Sequence, residues 1–261
     1  MISLVVPCFN EAGRFDLDYW KALLQIDGIR WVFVDDGSTD ETFKLLNRVG
    51  SPPQVAVLRR ALNGGKSEAV RMGMLKELQE TFALDLAGVG FIDADGAFEA
   101  DDIASIVSRH LELARNGTVD ATWSARVALA GRHIHRRAVR HYVGRLASTL
   151  LSAGGNESPY DTQSGFKVFA NQPELGRVLE TPFQTRWLFE WEMMIRWNEM
   201  FGQAMRIWEE PLSSWHEVSG SKAFTGREAM RIAKELLVIK ELQSPRKQDV
   251  RKRRDHSGER V

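Results

Sequence analysis

Phe91-Ile92-Asp93-Ala94-Asp95-Gly96 ends an apolar run with two carboxylates one residue apart. On an extended backbone, residues i and i+2 share one face, so Asp93 and Asp95 converge just beyond the end of a strand. Paired carboxylates with open positions suit a hard divalent cation, Mg²⁺ or Mn²⁺, that keeps water and diphosphate oxygens as its other ligands. A lone Asp-x-Asp is more often a solvated turn. Upstream, however, Val32-Phe33-Val34-Asp35-Asp36-Gly37-Ser38 is a second apolar run ending in acid. Two strands ending in acid within one α/β pattern point to a nucleotide-plus-metal site.

Around these two runs the first half of the chain alternates strand and helix. Ile2–Val6 reads as a buried strand stopped by Pro7. A helix is predicted over Leu17–Ile26, a strand at Trp31–Val34, and a helix over Thr39–Val49 with Ser38 or Thr39 as N-cap. Gln54–Leu58 is a third strand, Ser67–Gln79 a helix after Asn63-Gly64-Gly65-Lys66, Gly88–Ile92 the fourth strand, and Ile103–Arg115 an amphipathic helix. This alternation predicts a mostly parallel, three-layer α/β sheet, with ligands beyond the carboxyl ends of its strands. The second half adds strands at Ala121–Ser124, Phe166–Phe169 and Arg206–Glu209. Helices are predicted from Arg132 to Ser152, over Phe189–Met200 and over Arg227–Leu242.

Length and composition describe an ordinary globular chain of 261 residues, 43% hydrophobic and 27% charged. Lys+Arg and Asp+Glu balance at 35 each. From Ser244 onward, however, seven Lys/Arg face three acids. That apolar-poor tail, residues 244–261, is expected to be disordered. Its charge suits an anionic membrane surface, and no nucleic-acid partner is expected. The single cysteine, Cys8, excludes an internal disulfide framework and reads as a small core residue. Met1 runs directly into the first strand, and no stretch approaches 18 apolar residues. The expectation is a cytoplasmic protein that contacts a membrane peripherally and does not span it.

The ordered motifs are Val5-Val6-Pro7-Cys8-Phe9-Asn10-Glu11, Val34-Asp35-Asp36-Gly37-Ser38-Thr39-Asp40, Asn63-Gly64-Gly65-Lys66, Asp93-Ala94-Asp95-Gly96, Asp161-Thr162-Gln163-Ser164-Gly165-Phe166-Lys167 and Gly220-Ser221-Lys222. With them the chain resembles, from about Ser3 to Leu242, the inverting GT-A-fold glycosyltransferases of family 2. The likeness is closest to the synthases of polyprenyl- or dolichyl-phosphate glucose and mannose. It implies a GT-A, Rossmann-like sheet with acceptor-side helices towards the C-terminus. Residues 1–125 would bind the nucleotide sugar and residues 126–243 the acceptor, as two halves of one continuous domain.

The resemblance also implies roles. Pro7, Asn10, Glu11 and Asp36 would hold the nucleoside, with Asp35 in support. Lys66 would contact the donor, with Gly64-Gly65 and a helix N-terminus offering N–H groups to an anion. Asp95 would be the direct metal ligand, aided by Asp93. The Gly96-Ala97 that follows departs from the Gln of many relatives and removes a third ligand. Gln163 and Ser164 would bond sugar hydroxyls, with Gly165 allowing close backbone approach. Arg126, one of Arg136, Arg137 or Arg140, and Lys222 would bind a polyprenyl-phosphate acceptor. A lipid phosphate is an oxyanion already and needs alignment rather than a strong base. Were the acceptor an alcohol, Glu192 or Asp161 would serve as base. Trp187, Trp191 and Trp197, beside Glu190 and Glu192, read as core. A non-catalytic nucleotide-sugar binder on this fold is the rival from another class.

Overall fold

The computed structural model describes residues 1–80, 86–135, 159–216 and 226–244. Its strands are β1 (Ile2–Cys8), β2 (Ile29–Asp35), β3 (Val55–Arg59), β4 (Gly88–Ile92), β5 (Ala121–Ala125), β6 (His133–His135), β7 (Phe166–Ala170), β8 (Ile207–Pro211) and β9 (Ser214–His216). Seven of them form one sheet in the order β3-β2-β1-β4-β7-β5-β8. The β1, β2, β3 and β4 pairings are parallel, as is β5 with β8, while β7 runs antiparallel between β4 and β5. The sheet is therefore mostly parallel, as the alternation of strand and helix predicts. Residue 125 closes β5, and β7 and β8 from the second half join the same sheet.

Strand residues alternate between two cores, which is the period-two rule at work. Ile2, Leu4, Val6, Trp31, Phe33, Ile92 and Phe166 face one side. There they meet Trp20 and Leu23 of α1 (Leu17–Leu23) and Ile103, Ile106 and Val107 of α4 (Ala100–Arg115). Val5, Val32, Val34, Val89, Phe91 and Trp123 face the other side. That side is covered by α3 (Lys66–Glu80), α5 (Pro173–Leu179) and α6 (Phe189–Phe201). Each fully buried large apolar side chain contributes about 1.5–3 kcal/mol. A third, smaller core joins Leu188, Trp191 and Ile195 to Ile239 and Leu242 of α7 (Gly226–Leu242). Trp191 and Trp197 are buried core, as expected, and so is Cys8, whose thiol burial pushes well above its ordinary range.

Several sequence expectations are corrected. Pro7 does not stop β1: the strand pairs with β2 as far as Cys8. The ladder to β4 ends at Val5, so the proline lies where only β2 flanks the strand. Ser38 and Thr39 do not cap a helix. The short α2 spans Thr42–Leu46, and Ser38 Oγ instead accepts the Asn10 N–H at 3.0 Å. The helix predicted from Arg132 does not begin there: His133–His135 is β6, paired in parallel with β9. The rest of that predicted helix, with Arg136, Arg137 and Arg140, lies outside the described residues, as do Lys222 and the basic tail. No described helix is long and apolar enough to cross a membrane.

Candidate active site

Parallel pairing brings the ends of β1, β2 and β4 to one edge of the sheet, and the motif residues follow those ends. The loop after β1 is locked to the loop after β2. Asn10 takes a positive φ of 52°. Its side-chain Oδ1 accepts the Thr39 N–H at 2.9 Å, and the Glu11 N–H reaches Thr42 Oγ1 at 2.8 Å. The Glu11 carboxylate accepts from Arg14 at 2.7 Å. Asp35 is fully buried and accepts the Ser38 N–H at 3.0 Å. Asp36 pairs with Arg60 and accepts the N–H groups of Gly64 at 3.0 Å and Gly65 at 2.7 Å. The anion at the entrance to α3 is thus a side chain of the protein itself.

Lys66 opens α3, and its ammonium lies 2.6 Å from Asp93 Oδ1 and over the Phe91 ring at 5.3 Å. Burial opposes its charge, but Asp93, Glu190 and Asp95 outweigh burial and hold the pKa above the ordinary lysine value. Asp95 accepts the Ala97 N–H at 3.2 Å. Burial, then the neighbouring Asp93 charge, raises its pKa. A carboxyl whose ionisation is disfavoured by burial and by a neighbouring carboxylate fits a divalent cation. Among the described residues, no three His, Cys, Asp or Glu side chains gather into a ready-made metal cage. A cation at Asp95 and Asp93 would therefore draw most of its ligands from elsewhere.

The segment leading into β7 closes over β4. Asp93 N–H donates to Gly165 O at 2.9 Å. A β-carbon on Gly165 would stand 2.1 Å from Asp93 Oδ2. The close approach that Gly165 permits is thus to Asp93. Ser164 is fully buried, bonded through its hydroxyl to Ser124. Gln163 has a buried amide nitrogen without a partner among the described residues, which suits it to a ligand. Behind Asp93, Lys167 and Glu190 form a buried pair at 3.5 Å. Burial pushes Lys167 down and Glu190 up, each towards its neutral form. The Phe91 ring carries both ammoniums, with Lys167 at 5.4 Å.

At the end of β5, Arg126 forks onto Asp161 through Nε at 2.7 Å and a terminal nitrogen at 2.8 Å. It stacks over Trp215 of β9 at 5.0 Å. Burial opposes the guanidinium's charge, and Asp161 restores it. Glu209 in turn holds the Asp161 N–H at 2.8 Å. Glu192 is fully buried on α6. It accepts from Gln184 N–H at 3.0 Å, from Thr185 N–H and Oγ1 at 2.9 Å each, and from Arg196 at 2.6 Å. Sequence reasoning passed over Arg14, Arg60 and the Lys167–Glu190 pair. Their signal was proximity to motifs already noted; Arg14 pairs locally with Glu11, while Arg60 and Lys167 find their partners on other elements.

Known proteins can now be set beside this geometry. A family model described as Glycosyl transferase family 2 matches residues 3–172. The dolichyl-phosphate beta-glucosyltransferase of Saccharomyces cerevisiae is 30% identical over 258 residues, covering 92% of this chain and 74% of the relative. A protein of the same name from Drosophila melanogaster is 26% identical over 261 residues, covering 91% and 74%. Among solved structures, glucosyl-3-phosphoglycerate synthase from Mycobacterium tuberculosis, in complex with Mn²⁺, UDP and glucosyl-3-phosphoglycerate, superposes with TM-score 0.58 at 18% identity, covering 92% of this chain and 78% of that one. A mannosyltransferase from Pyrobaculum calidifontis, in complex with GDP-Man and Mn²⁺, superposes with TM-score 0.56 at 19% identity, covering 89% and 60%. The structural likeness is one of fold, the GT-A arrangement that the motifs imply. The family match spans β1 to β7, including both acidic strand ends, and on that ground the chain belongs to glycosyl transferase family 2 and is a glycosyltransferase.

Proposed function

We propose that this chain transfers glucose from a nucleotide sugar, UDP-glucose, to a dolichyl or other polyprenyl phosphate, with inversion in a single in-line displacement. The observation that carries the acceptor is the state of the two acids an alcohol acceptor would need as base. Asp161 is forked by Arg126, and Glu192 is bonded by Arg196 and by the 184–185 backbone. A phosphate acceptor attacks as an oxyanion and asks neither acid for proton transfer. The choice of glucose is supported by relatives named as dolichyl-phosphate beta-glucosyltransferases along nine-tenths of this chain.

In this reading Asp95 and Asp93 hold Mg²⁺ or Mn²⁺, which when bound offsets charge on the departing diphosphate. Lys66 leaves Asp93 for a donor phosphate, and Gln163 meets the sugar. Arg126 stays charged and aligns the acceptor phosphate, joined by Lys222 and by one of Arg136, Arg137 or Arg140. Contact with a membrane surface would use α7, where Met230 and Leu237 are exposed among Arg231, Lys234 and Lys240.

The test is transfer of label. Purified chain with Mn²⁺ or Mg²⁺ is given labelled UDP-glucose or GDP-mannose, with and without dolichyl phosphate. Label should enter the organic phase from UDP-glucose only when lipid, metal and Asp95 are all present. Transfer to a saccharide without lipid, or saturable donor binding without transfer to any acceptor, would remove this reading.

A further inference from the structure

Two buried carboxylates bracket one exposed cation. Glu192, on α6, accepts the backbone N–H groups of Gln184 at 3.0 Å and Thr185 at 2.9 Å. Glu235, on α7 and also buried, accepts those of Trp187 at 2.8 Å and Leu188 at 2.9 Å through a single oxygen. The backbone on both sides of residue 186 is therefore fixed from two different helices. Arg186 itself is exposed and has no hydrogen-bond or ion-pair partner among the described residues. Its side chain lies across Gly65. A β-carbon there would stand 3.3 Å from Arg186 Cδ and 3.7 Å from its Nε. Gly65 has a φ of +90° and immediately precedes Lys66, the cation on Asp93.

Burying carboxylates costs desolvation, and here they fix a turn whose central residue lies against Gly65. A guanidinium held in one place, beside an ammonium and a glycine turn, has the shape and charge to take phosphate oxygens two at a time.

We propose that Arg186 is a further donor-binding residue, which takes the diphosphate of the nucleotide donor beside Lys66, with Glu192 and Glu235 as its positioning residues. The inference rests on the nucleotide-sugar reading above and adds a residue and a support to it. It also links α7 to the donor site through Glu235.

Calorimetric titration of UDP, GDP and UMP with Mn²⁺ into the full chain tests it, with wild type, Arg186→Ala, Glu235→Ala and the double variant compared. Losing a charge-assisted phosphate contact should weaken UDP about tenfold or more in Arg186→Ala and change UMP less than about twofold. Glu235→Ala should weaken UDP about threefold, and should add nothing once Arg186 is gone, because it acts through Arg186. Glu235→Gln keeps an acceptor oxygen and should restore most of the affinity. Equal UDP affinity in wild type and Arg186→Ala overturns the proposal. So does an equal loss for UDP and UMP, which would mark a general disturbance. A Glu235 effect that persists without Arg186 overturns the positioning role. If Glu235→Ala fails to melt cooperatively, the exposed Arg186→Ala still decides the ligand contact. Wild-type chain that binds neither UDP nor GDP would sink the nucleotide-sugar reading, and this inference with it.

Discussion

The end of β4 and the start of α6 both carry two acids one residue apart, and the second acid of each pair, Asp95 and Glu192, is used in the opposite way. At β4, Asp95 accepts one backbone N–H, and its carboxyl is pushed up by burial and by Asp93. At α6, Glu192 satisfies donors from Gln184, Thr185 and Arg196 and has no capacity left. Similar spacing therefore says little about role. Compensation says more: an acid that its own chain leaves short of donors awaits a ligand, and an acid saturated by its own chain is scaffold.

The contrast can be broken experimentally. Asp95→Ala should cut transfer about a thousandfold or more and leave the thermal melt nearly unchanged. Unchanged turnover would show that the β4 acids are not the ligand-bearing pair. Glu192→Ala should act first on stability, with transfer falling only as far as donor binding weakens. It removes the counter-charge of the buried Arg196 and leaves three donors unpaired, and should cost about 3–5 kcal/mol in denaturant unfolding. An inactive Glu192→Ala of wild-type stability would instead make Glu192 a chemical group.

A third measurement sharpens the scaffold side away from the site. His110 of α4 is fully buried, with Nδ1 3.0 Å from Thr122 Oγ1, and burial pushes its pKa down to about 4. The unfolded chain takes up this proton near the ordinary value of 6.5, so acidification favours unfolding. The contribution is intact above about 6.5 and lost by about pH 4, amounting to about 3 kcal/mol. Stability curves of wild type and His110→Gln should converge across that window, and parallel curves would contradict the buried neutral imidazole. The smallest effect is steric. Gly165→Ala puts a β-carbon against Asp93 and should cost about 2 kcal/mol of overpacking. Transfer should fall with it, because Asp93 must move. A neutral Gly165→Ala would mean that Asp93 has room to shift.

The acid-bearing edge of the sheet was legible because its information is local. Trp31–Val34 and Gly88–Ile92 are unbroken apolar runs ending in acid, and both lie within strands at the expected edge. What could not be read depends on partners distant in sequence. β6 exists through its pairing with β9, some eighty residues away, and the basic residues around it read as a helix face. Pro7 looked like a terminator because the sequence does not say where β4 stops pairing. Of the donors that saturate Glu192, Arg196 lies on its own helix face, while the 184–185 backbone lies in the segment before the helix, which no helical periodicity shows. The helix α5 was passed over although Pro173 at its first turn was an available signal.

The fork between Arg126 and Asp161 joins the end of β5 to the segment entering β7. The two residues stand thirty-five positions apart in the chain, beside strands that neither end has to rebuild. Closing a chain costs only slowly more as the enclosed segment lengthens. The stretch can therefore be treated as a cassette. Exchanged between relatives at Arg126 and Asp161, with the fork retained, it should leave the sheet on either side intact.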